Sequence, residues 1–257
     1  MIPNNYHTHT RFCDGKDSPE EMVLRAIELG MEELGFSGHS YVPFDDCCMT
    51  PDGTLAYRRE ILRLRERYAD RIRIFLGVEQ DYYSPAPTGG YDYVIGSVHY
   101  VYKDGAYLPV DLSREAQVRA VNEHYDGDYY AWIEDYYALV GDVYEKTRCR
   151  IVGHLDLITK FNEDGSLFDT AHPRYRAAAL GAIERLAAAP VLFEINTGAI
   201  ARGYRRTPYP EPFLLEELRR RKLPLILSSD CHDKEDLLCA LCELNEVYPE
   251  VRRNLFG

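Results

Sequence analysis

Two pairs of residues in this chain have types and a spacing suited to gripping a metal ion. Near the start stands Tyr6-His7-Thr8-His9-Thr10, and near the end Ser228-Ser229-Asp230-Cys231-His232. Each follows a short apolar run of strand character, at Met1–Tyr6 and Leu223–Leu227. In an extended strand the side chains at i and i+2 share a face. His7 is thereby aimed with His9, and Asp230 with His232, while Thr8 and Cys231 point away. A lone histidine is usually structural. Two strand-borne pairs are hard to explain as packing, because unpaired imidazoles and carboxylates are costly to bury. A site with imidazole and carboxylate ligands is the chemistry they favour.

The elements that must position these pairs follow from the hydrophobic pattern. Seven strand-like runs stand out: Ile2–His9, Glu33–His39, Ile72–Asp81, Tyr91–Tyr100, Arg150–Asp156, Val191–Asn196 and Leu223–Asp230. Most are near-continuous apolar, as in Leu225-Ile226-Leu227, which suits parallel strands buried on both faces. Helical patterns fill the intervals. Ser18-Pro19-Glu20-Glu21 is a capping box with Pro at the first helical position; it opens a helix burying Met22, Val23, Ala26 and Ile27 and stopping at Gly30. Tyr57, Ile61, Leu64 and Tyr68 recur at helical spacing. Two patterns, Ser113–His124 and Asp128–Thr147, precede the fifth strand. Others are marked by Tyr175 to Leu186, Leu214 to Leu218 and Leu237 to Leu244. Repeated strand–helix alternation without a low-complexity linker predicts one α/β domain over residues 1–257. A closed parallel barrel fits better than an open sheet, since chemistry-bearing residues come from nearly every strand end. No Gly-x-Gly-x-x-Gly follows the first strand, so a dinucleotide fold has no support.

Composition narrows the partners. The 257 residues are 46% hydrophobic and carry a formal charge of −12, which argues against a nucleic-acid backbone as the main partner. No apolar run approaches the length of about 18 residues that a transmembrane helix needs. The first residues have neither a basic n-region nor an apolar h-region, and a cytoplasmic protein with no membrane partner is expected. Seven cysteines form no framework. Cys239-x-x-Cys242 lies in Glu235–Glu246, which reads as helix, where i and i+3 are simply neighbours. Free thiols in a reducing compartment are expected there and at Cys47-Cys48.

Other strand ends repeat the opening observation. They read Ser37-Gly38-His39-Ser40, Gly77-Val78-Glu79-Gln80-Asp81, Gly96-Ser97-Val98-His99 and Gly153-His154-Leu155-Asp156, with Asp14 in the loop after the first pair. Six of the eight histidines fall at predicted C-terminal strand ends; His124 and His172 look like helix-flank residues. The ordered set His7-x-His9, Asp14, His39, Glu79, His99, His154 and Asp230-x-His232 resembles the ligands of the PHP (polymerase and histidinol phosphatase) family. Gly35-Phe36-Ser37-Gly38-His39-Ser40, Gly153-His154-Leu155-Asp156-Leu157-Ile158-Thr159-Lys160-Phe161-Asn162, Phe193-Glu194-Ile195-Asn196-Thr197 and Tyr209-Pro210 are similar to its stand-alone histidinol-phosphate phosphatases.

That resemblance implies a distorted (β/α)7 TIM-like barrel with a trinuclear metal centre. His7, His9, Glu79 and Asp230 would hold one ion; Glu79 would bridge it to a second on His99 and His154; Asp14, His39 and His232 would hold the third. Many relatives have His in place of Asp14, and Asp17 is close enough to compete. Imidazole and carboxylate ligands without thiolate suit Zn, Mn or Fe. Three divalent ions bring about six positive charges against roughly three carboxylates, which makes the filled pocket attractive to a phosphate monoester. Closely spaced ions lower the pKa of a shared water towards about 7 and clamp phosphoryl oxygens for in-line attack. No Ser or Cys nucleophile is then needed. The implied reaction is hydrolysis of L-histidinol phosphate, a step of histidine biosynthesis.

Glu79 is assigned a catalytic as well as a ligand role, and Asp230 and His232 are candidates for relaying a proton to the leaving alkoxide. Arg202 and Lys160 are candidate phosphate contacts, with Ser97 and Asn196 as further substrate-binding candidates. Asp81, Ser97 and Asp156 are placed to orient ligands. The loops Tyr41–Pro51, Tyr82–Gly90 and Lys103–Leu112 are candidates for the rest of the substrate pocket. Three alternatives stay open: a phosphoesterase for another small ester or nucleotide, a metal-dependent amidohydrolase, and a non-catalytic metal-binding module.

Overall fold

Strand alternation sorts the interior of this molecule into an apolar end and a polar end. The computed structural model describes residues 3–256. In chain order the elements are α1 (Pro19–Glu28), β1 (Glu33–Phe36), α2 (Pro51–Arg67), β2 (Arg73–Asp81), β3 (Tyr93–Ser97), β4 (Tyr100–Lys103), β5 (Ala106–Pro109), α3 (Arg114–His124), α4 (Tyr129–Thr147), β6 (Ile151–Val152), α5 (Pro173–Leu186), β7 (Leu192–Asn196), the short α6 (Gly198–Ala201), α7 (Pro212–Arg220), β8 (Leu225–Ser228) and α8 (Leu241–Val247). Six strands pair in parallel in the order β1-β2-β3-β6-β7-β8. The segment from Asn4 to His9 lies between the two edges: Asn5 bridges to Leu34 of β1 and Thr8 bridges to Cys231 after β8. The result is a curled α/β barrel of seven staves.

The outward residues of the strands, such as Leu76 and Val78 of β2 and Phe193 and Ile195 of β7, join the helices in one core. Each fully buried side chain of this kind stabilises the fold by roughly 1.5–3 kcal/mol. The inward residues begin apolar and end polar. Tyr93, Ile95, Ile151, Leu192 and Ile226 pack with Tyr6 and Leu255 at one end of the barrel. One inward step further, Glu79, Ser97, Glu194 and Ser228 are buried polar residues at the other end. Among the described residues no helix is long and apolar enough to cross a membrane.

Local signals set the helix ends. The Ser18 side chain accepts from the Glu21 N–H while Glu21 returns to the Ser18 N–H, and Gly30 takes the left-handed conformation (φ 75°) just past the helix. Ser113 and Asp128 cap α3 and α4. His172 caps α5 by accepting from the Arg174 N–H, so this histidine has a structural use.

Three expectations need correction. The first predicted strand, Ile2–His9, is no regular strand where it is described (Ile2 lies outside the described residues). Backbone bonds tie it to its neighbours only at isolated points, from the Gly35 N–H to Asn5, the Ser37 N–H to Thr8 and the His9 N–H to Cys231, while Asn5 Oδ1 takes the His7 N–H at 3.2 Å and its Nδ2 donates to Ser229 Oγ and to the Leu237 carbonyl. The run Tyr91–Tyr100 is split. β3 stops at Ser97, and β4 with β5 forms an antiparallel hairpin where a loop was expected; its turn residues Asp104 (φ 49°) and Gly105 (φ 83°) are both left-handed. Glu235–Glu246 is not one helix, because Ala240 has φ 56° and α8 begins only at Leu241. Cys239 therefore precedes the helix, and all seven cysteines are free.

Candidate metal centre

All nine side chains of the predicted ligand set meet at the polar mouth of the barrel. Their potential donor atoms cluster as His7, His9 and Asp230; His7, Glu79 and His154; His39, Glu79 and His99; and His9, Asp14, His39 and His232. Glu79, carried to the centre by β2, touches the most partners. Its Oε1 lies 2.9 Å from His154 Nε2 and 3.4 Å from His99 Nε2. Its Oε2 lies 3.2 Å from His7 Nε2, 3.5 Å from His9 Nε2 and 3.0 Å from His39 Nδ1. Asp230 Oδ1 is 3.1 Å from His9 Nε2 and 3.6 Å from His7 Nε2. Asp230 holds a left-handed backbone (φ 48°), a conformation that costs energy in a non-glycine residue and marks functional positions. Asp14 reaches His232 Nε2 at 3.1 Å. Asp17 instead binds the Lys234 N–H and ammonium, outside the cluster.

A cation fits these groups on two grounds. His7 Nε2, His9 Nε2, Glu79 Oε2 and His154 Nδ1 are buried without a hydrogen-bond partner, although such atoms are rarely left unpaired. Ligand atoms about 2.1 Å from a tetrahedral ion lie about 3.4 Å apart, and the contacts of His7 and His9 with Glu79 and Asp230 run from 3.1 to 3.6 Å.

The electrostatics couple the buried imidazoles and carboxylates of the cluster to one another. Burial opposes ionisation of Glu79, but His7, His39 and His99 outweigh it and hold this carboxyl well below its usual range. Burial likewise opposes charge on His7, and Glu194, Asp230 and Glu79 reverse the effect, raising it well above the ordinary value. His39 rises to about 9 against burial, through Asp14 and Glu79. His9 goes the other way: burial, then His232 and His39, push it down to about 3. A divalent ion would displace the imidazole protons and be compensated by the same carboxylates.

A model of the PHP domain matches residues 5–198. The chain belongs to this family. Histidinol-phosphatase of Bacillus subtilis is 29% identical over 92% of this chain and 96% of its own length. A Deinococcus radiodurans relative is 30% identical over 88% of this chain and 85% of its own. The histidinol phosphate phosphatase of Lactococcus lactis, crystallised with zinc, L-histidinol and phosphate, superposes with a TM-score of 0.66 at 22% identity, covering 95% of this chain and 93% of that one.

Around the nine clustered side chains of this PHP chain, supporting groups divide by position. Glu194, which sequence reasoning passed over, is fully buried beneath the cluster. Its Oε1 lies 2.6 Å from His7 Nδ1, and its Oε2 accepts from the His154 N–H and from Asn196 Nδ2, both at 2.8 Å. This fixes the ring so that His7 Nε2 faces the centre. The available signal was a glutamate at an inward position of β7, two residues before Asn196. Asp81 plays the matching part for His99, with Oδ2 3.1 Å from Nδ1. Two expected substrate contacts lie behind the cluster rather than on the cavity wall. Ser97 is 1% exposed and Asn196 is 0% exposed, and Asn196 Nδ2 braces Asp230 Oδ2 at 3.3 Å. Asp156 turns away from the centre towards Glu211, whose N–H it accepts.

A cavity of about 300 Å³ opens over the cluster, and Lys160 and Arg202 stand on its wall with Asp111 and Tyr204. Arg202 Nη2 is 3.4 Å from Asp230 Oδ2, and Nη1 is 2.8 Å from His232 Nδ1. Only glycine fits at Gly198, where a Cβ would stand 2.8 Å from Asp230 Oδ2. Lys160 Nζ donates to the Asp111 carbonyl at 2.8 Å and to its carboxylate at 3.2 Å. Cys231 faces away from the centre, 1% exposed, and burial pushes its thiol up to about 12, a poor state for a nucleophile.

Proposed function

We propose that this chain is a phosphomonoesterase that hydrolyses L-histidinol phosphate to L-histidinol and phosphate, with three divalent ions held by nine side chains. The observation that carries the reading is the convergence of nine ligand-type groups under a cavity whose wall also bears Arg202 and Lys160. His7, His9, Glu79 and Asp230 would hold one ion, Glu79 with His99 and His154 a second, and Asp14, His39 and His232 the third. Zinc, manganese or iron suits the donor set, and zinc is the ion in the Lactococcus lactis structure. Bound there, the ions supply a hydroxide nucleophile at neutral pH and neutralise the phosphoryl oxygens.

The chain's own residues do the rest. Glu194 and Asp81 keep His7 and His99 in the ligating orientation. Arg202, beside Asp230 and His232, offers its guanidinium to the phosphate at the cavity wall, and Lys160 adds a second cation. Asp230 and His232 line the cavity next to Arg202 and are placed to pass a proton to the leaving alkoxide. A cavity of about 300 Å³ in a chain of charge −12 suits a small ester and not a nucleic-acid backbone.

The test is steady-state kinetics of the metal-loaded protein on L-histidinol phosphate, p-nitrophenyl phosphate and nucleoside monophosphates. L-histidinol phosphate is expected to have the highest kcat/KM, and Arg202→Ala to raise KM for every ester. Equal rates across the panel would remove the substrate assignment while leaving the chemistry.

A further inference from the structure

The part of the cavity wall that carries Arg202 is a loop closed on itself. Residues 197–208 leave the barrel at Asn196 and come back at Tyr209, where the N–H of each of these two residues donates to the carbonyl of the other at 2.9 Å. A surface excursion whose ends are joined in this way is an Ω-loop. It puts Arg202 and Tyr204 on the cavity wall. Arg202 ends α6, a helix of four residues, and Gly203 turns the chain away in the left-handed conformation (φ 73°). So short a helix does not hold its place unaided.

Three consecutive residues on the far side of the loop tie it down, all to one neighbouring segment. Arg205, 4% exposed, donates to the Thr159 hydroxyl and lies 4.7 Å over the Tyr209 ring. Glu163 takes the Arg206 N–H at 2.7 Å and the Thr207 N–H and hydroxyl, both at 3.0 Å, on one carboxylate oxygen. Its other oxygen meets Arg206 Nε at 3.2 Å, but that side chain is 91% exposed, and such a pair contributes little. The backbone bonds carry the weight, because hydrogen bonds to an ionised acceptor are the strong kind. Burial opposes ionisation of Glu163, and the N–H groups of Arg206 and Thr207 with the Thr207 hydroxyl outweigh it, holding the carboxyl below its usual range. Glu163 is itself well seated. Its neighbour Asn162, 2% exposed, accepts the Leu167 N–H at 2.8 Å and donates to the Phe168 carbonyl at 2.9 Å. The same segment bears Lys160, whose ammonium lies 5.1 Å from the centre of the Tyr204 ring. One platform thus supports both cations of the cavity wall, although Glu163 does not line the cavity.

We propose that Glu163 is a positioning residue for the phosphate end of the site: it fixes the far side of the Ω-loop and through it the place of the Arg202 guanidinium. This deepens the phosphatase reading and rests on it. The test measures hydrolysis of L-histidinol phosphate, and its inhibition by inorganic phosphate, on metal-loaded wild type, Glu163→Ala, Glu163→Gln, Arg206→Ala, Arg202→Ala and the double variant Glu163→Ala/Arg202→Ala. A group misplaced by about 1 Å can cost about 100-fold. For a loop freed on one side, Glu163→Ala should raise KM and the phosphate inhibition constant about tenfold and keep kcat within about threefold of wild type. Glu163→Gln retains a carbonyl oxygen for the two N–H groups and should recover most of the loss, while Arg206→Ala should stay within about twofold of wild type. Because Glu163 acts through Arg202, the double variant should be no worse than Arg202→Ala alone. An unchanged KM in Glu163→Ala, no recovery in Glu163→Gln, or additive losses in the double variant overturns the proposal. If wild type hydrolyses no phosphate ester, the phosphatase reading fails, and the loop is judged by calorimetry with inorganic phosphate. Weaker binding in Glu163→Ala that Glu163→Gln restores then supports the proposal, and equal affinities or no binding overturn it.

Discussion

The two ends of the barrel interior are built from the same strands and have opposite characters. At one end Tyr6, Tyr93, Ile95, Ile151, Leu192, Ile226 and Leu255 form a buried apolar cluster, closed by Phe256 stacked on Phe75 at 4.6 Å. Two of its polar groups are paired with each other: the Leu255 N–H donates to the Tyr6 hydroxyl, and Arg150 Nη2 donates to the Leu255 carbonyl. At the other end the imidazoles of His7 and His9 and the carboxylate of Glu79 keep buried atoms unpaired. In a barrel, cohesion at the N-terminal end and chemistry at the C-terminal end are separate tasks. Here the separation takes one inward step along each strand, from Ile95 to Ser97 or from Leu192 to Glu194. Apolar packing at one end offsets the cost of a strained, unsatisfied cage at the other.

The comparison can be broken from the polar side first. Glu79→Ala removes the carboxylate around which five imidazoles, His7, His9, His39, His99 and His154, gather. Phosphatase activity should fall on the order of 10³-fold, and elemental analysis should find both bridged ions missing while circular dichroism stays native. Full metal retention would refute the bridging role. Glu194→Gln is gentler, since it keeps the shape and weakens the hold on His7 Nδ1 and on the groups that share its carboxylate, the His154 N–H and Asn196 Nδ2. Metal affinity should drop about 10- to 100-fold in a chelator competition, and unchanged affinity would make Glu194 a mere filler. Leu255→Ala probes the other end. It should destabilise the fold by about 2 kcal/mol in urea denaturation and leave kcat at 25 °C as it was. A lower kcat with unchanged stability would show that the two ends are not independent.

Much of this division was legible in the chain. Histidines and acids closing apolar runs identify the polar mouth, because strand geometry leaves few other uses for them, and the structure does bring all nine together. The supports were harder to see. Glu194 sits inside a run that reads as a buried strand, and only the fold reveals that His7 Nδ1 and the His154 N–H meet its two oxygens. The β4–β5 hairpin was legible in principle: Asp104-Gly105 is a two-residue turn signal, masked by the Tyr-rich runs that read as loop. The first stave falls where the pattern puts it but pairs only at isolated bridges, and the turn of the Asn5 side chain onto backbone groups is something an apolar pattern does not register. The break at Ala240 carries no glycine or proline to announce it.

The most direct test of the central claim follows hydrolysis of L-histidinol phosphate as the ions are stripped by a chelator and returned one equivalent at a time. The account predicts that activity vanishes with the ions and returns in full only near three equivalents of zinc, manganese or iron per chain. Undiminished hydrolysis by the metal-free protein would contradict it.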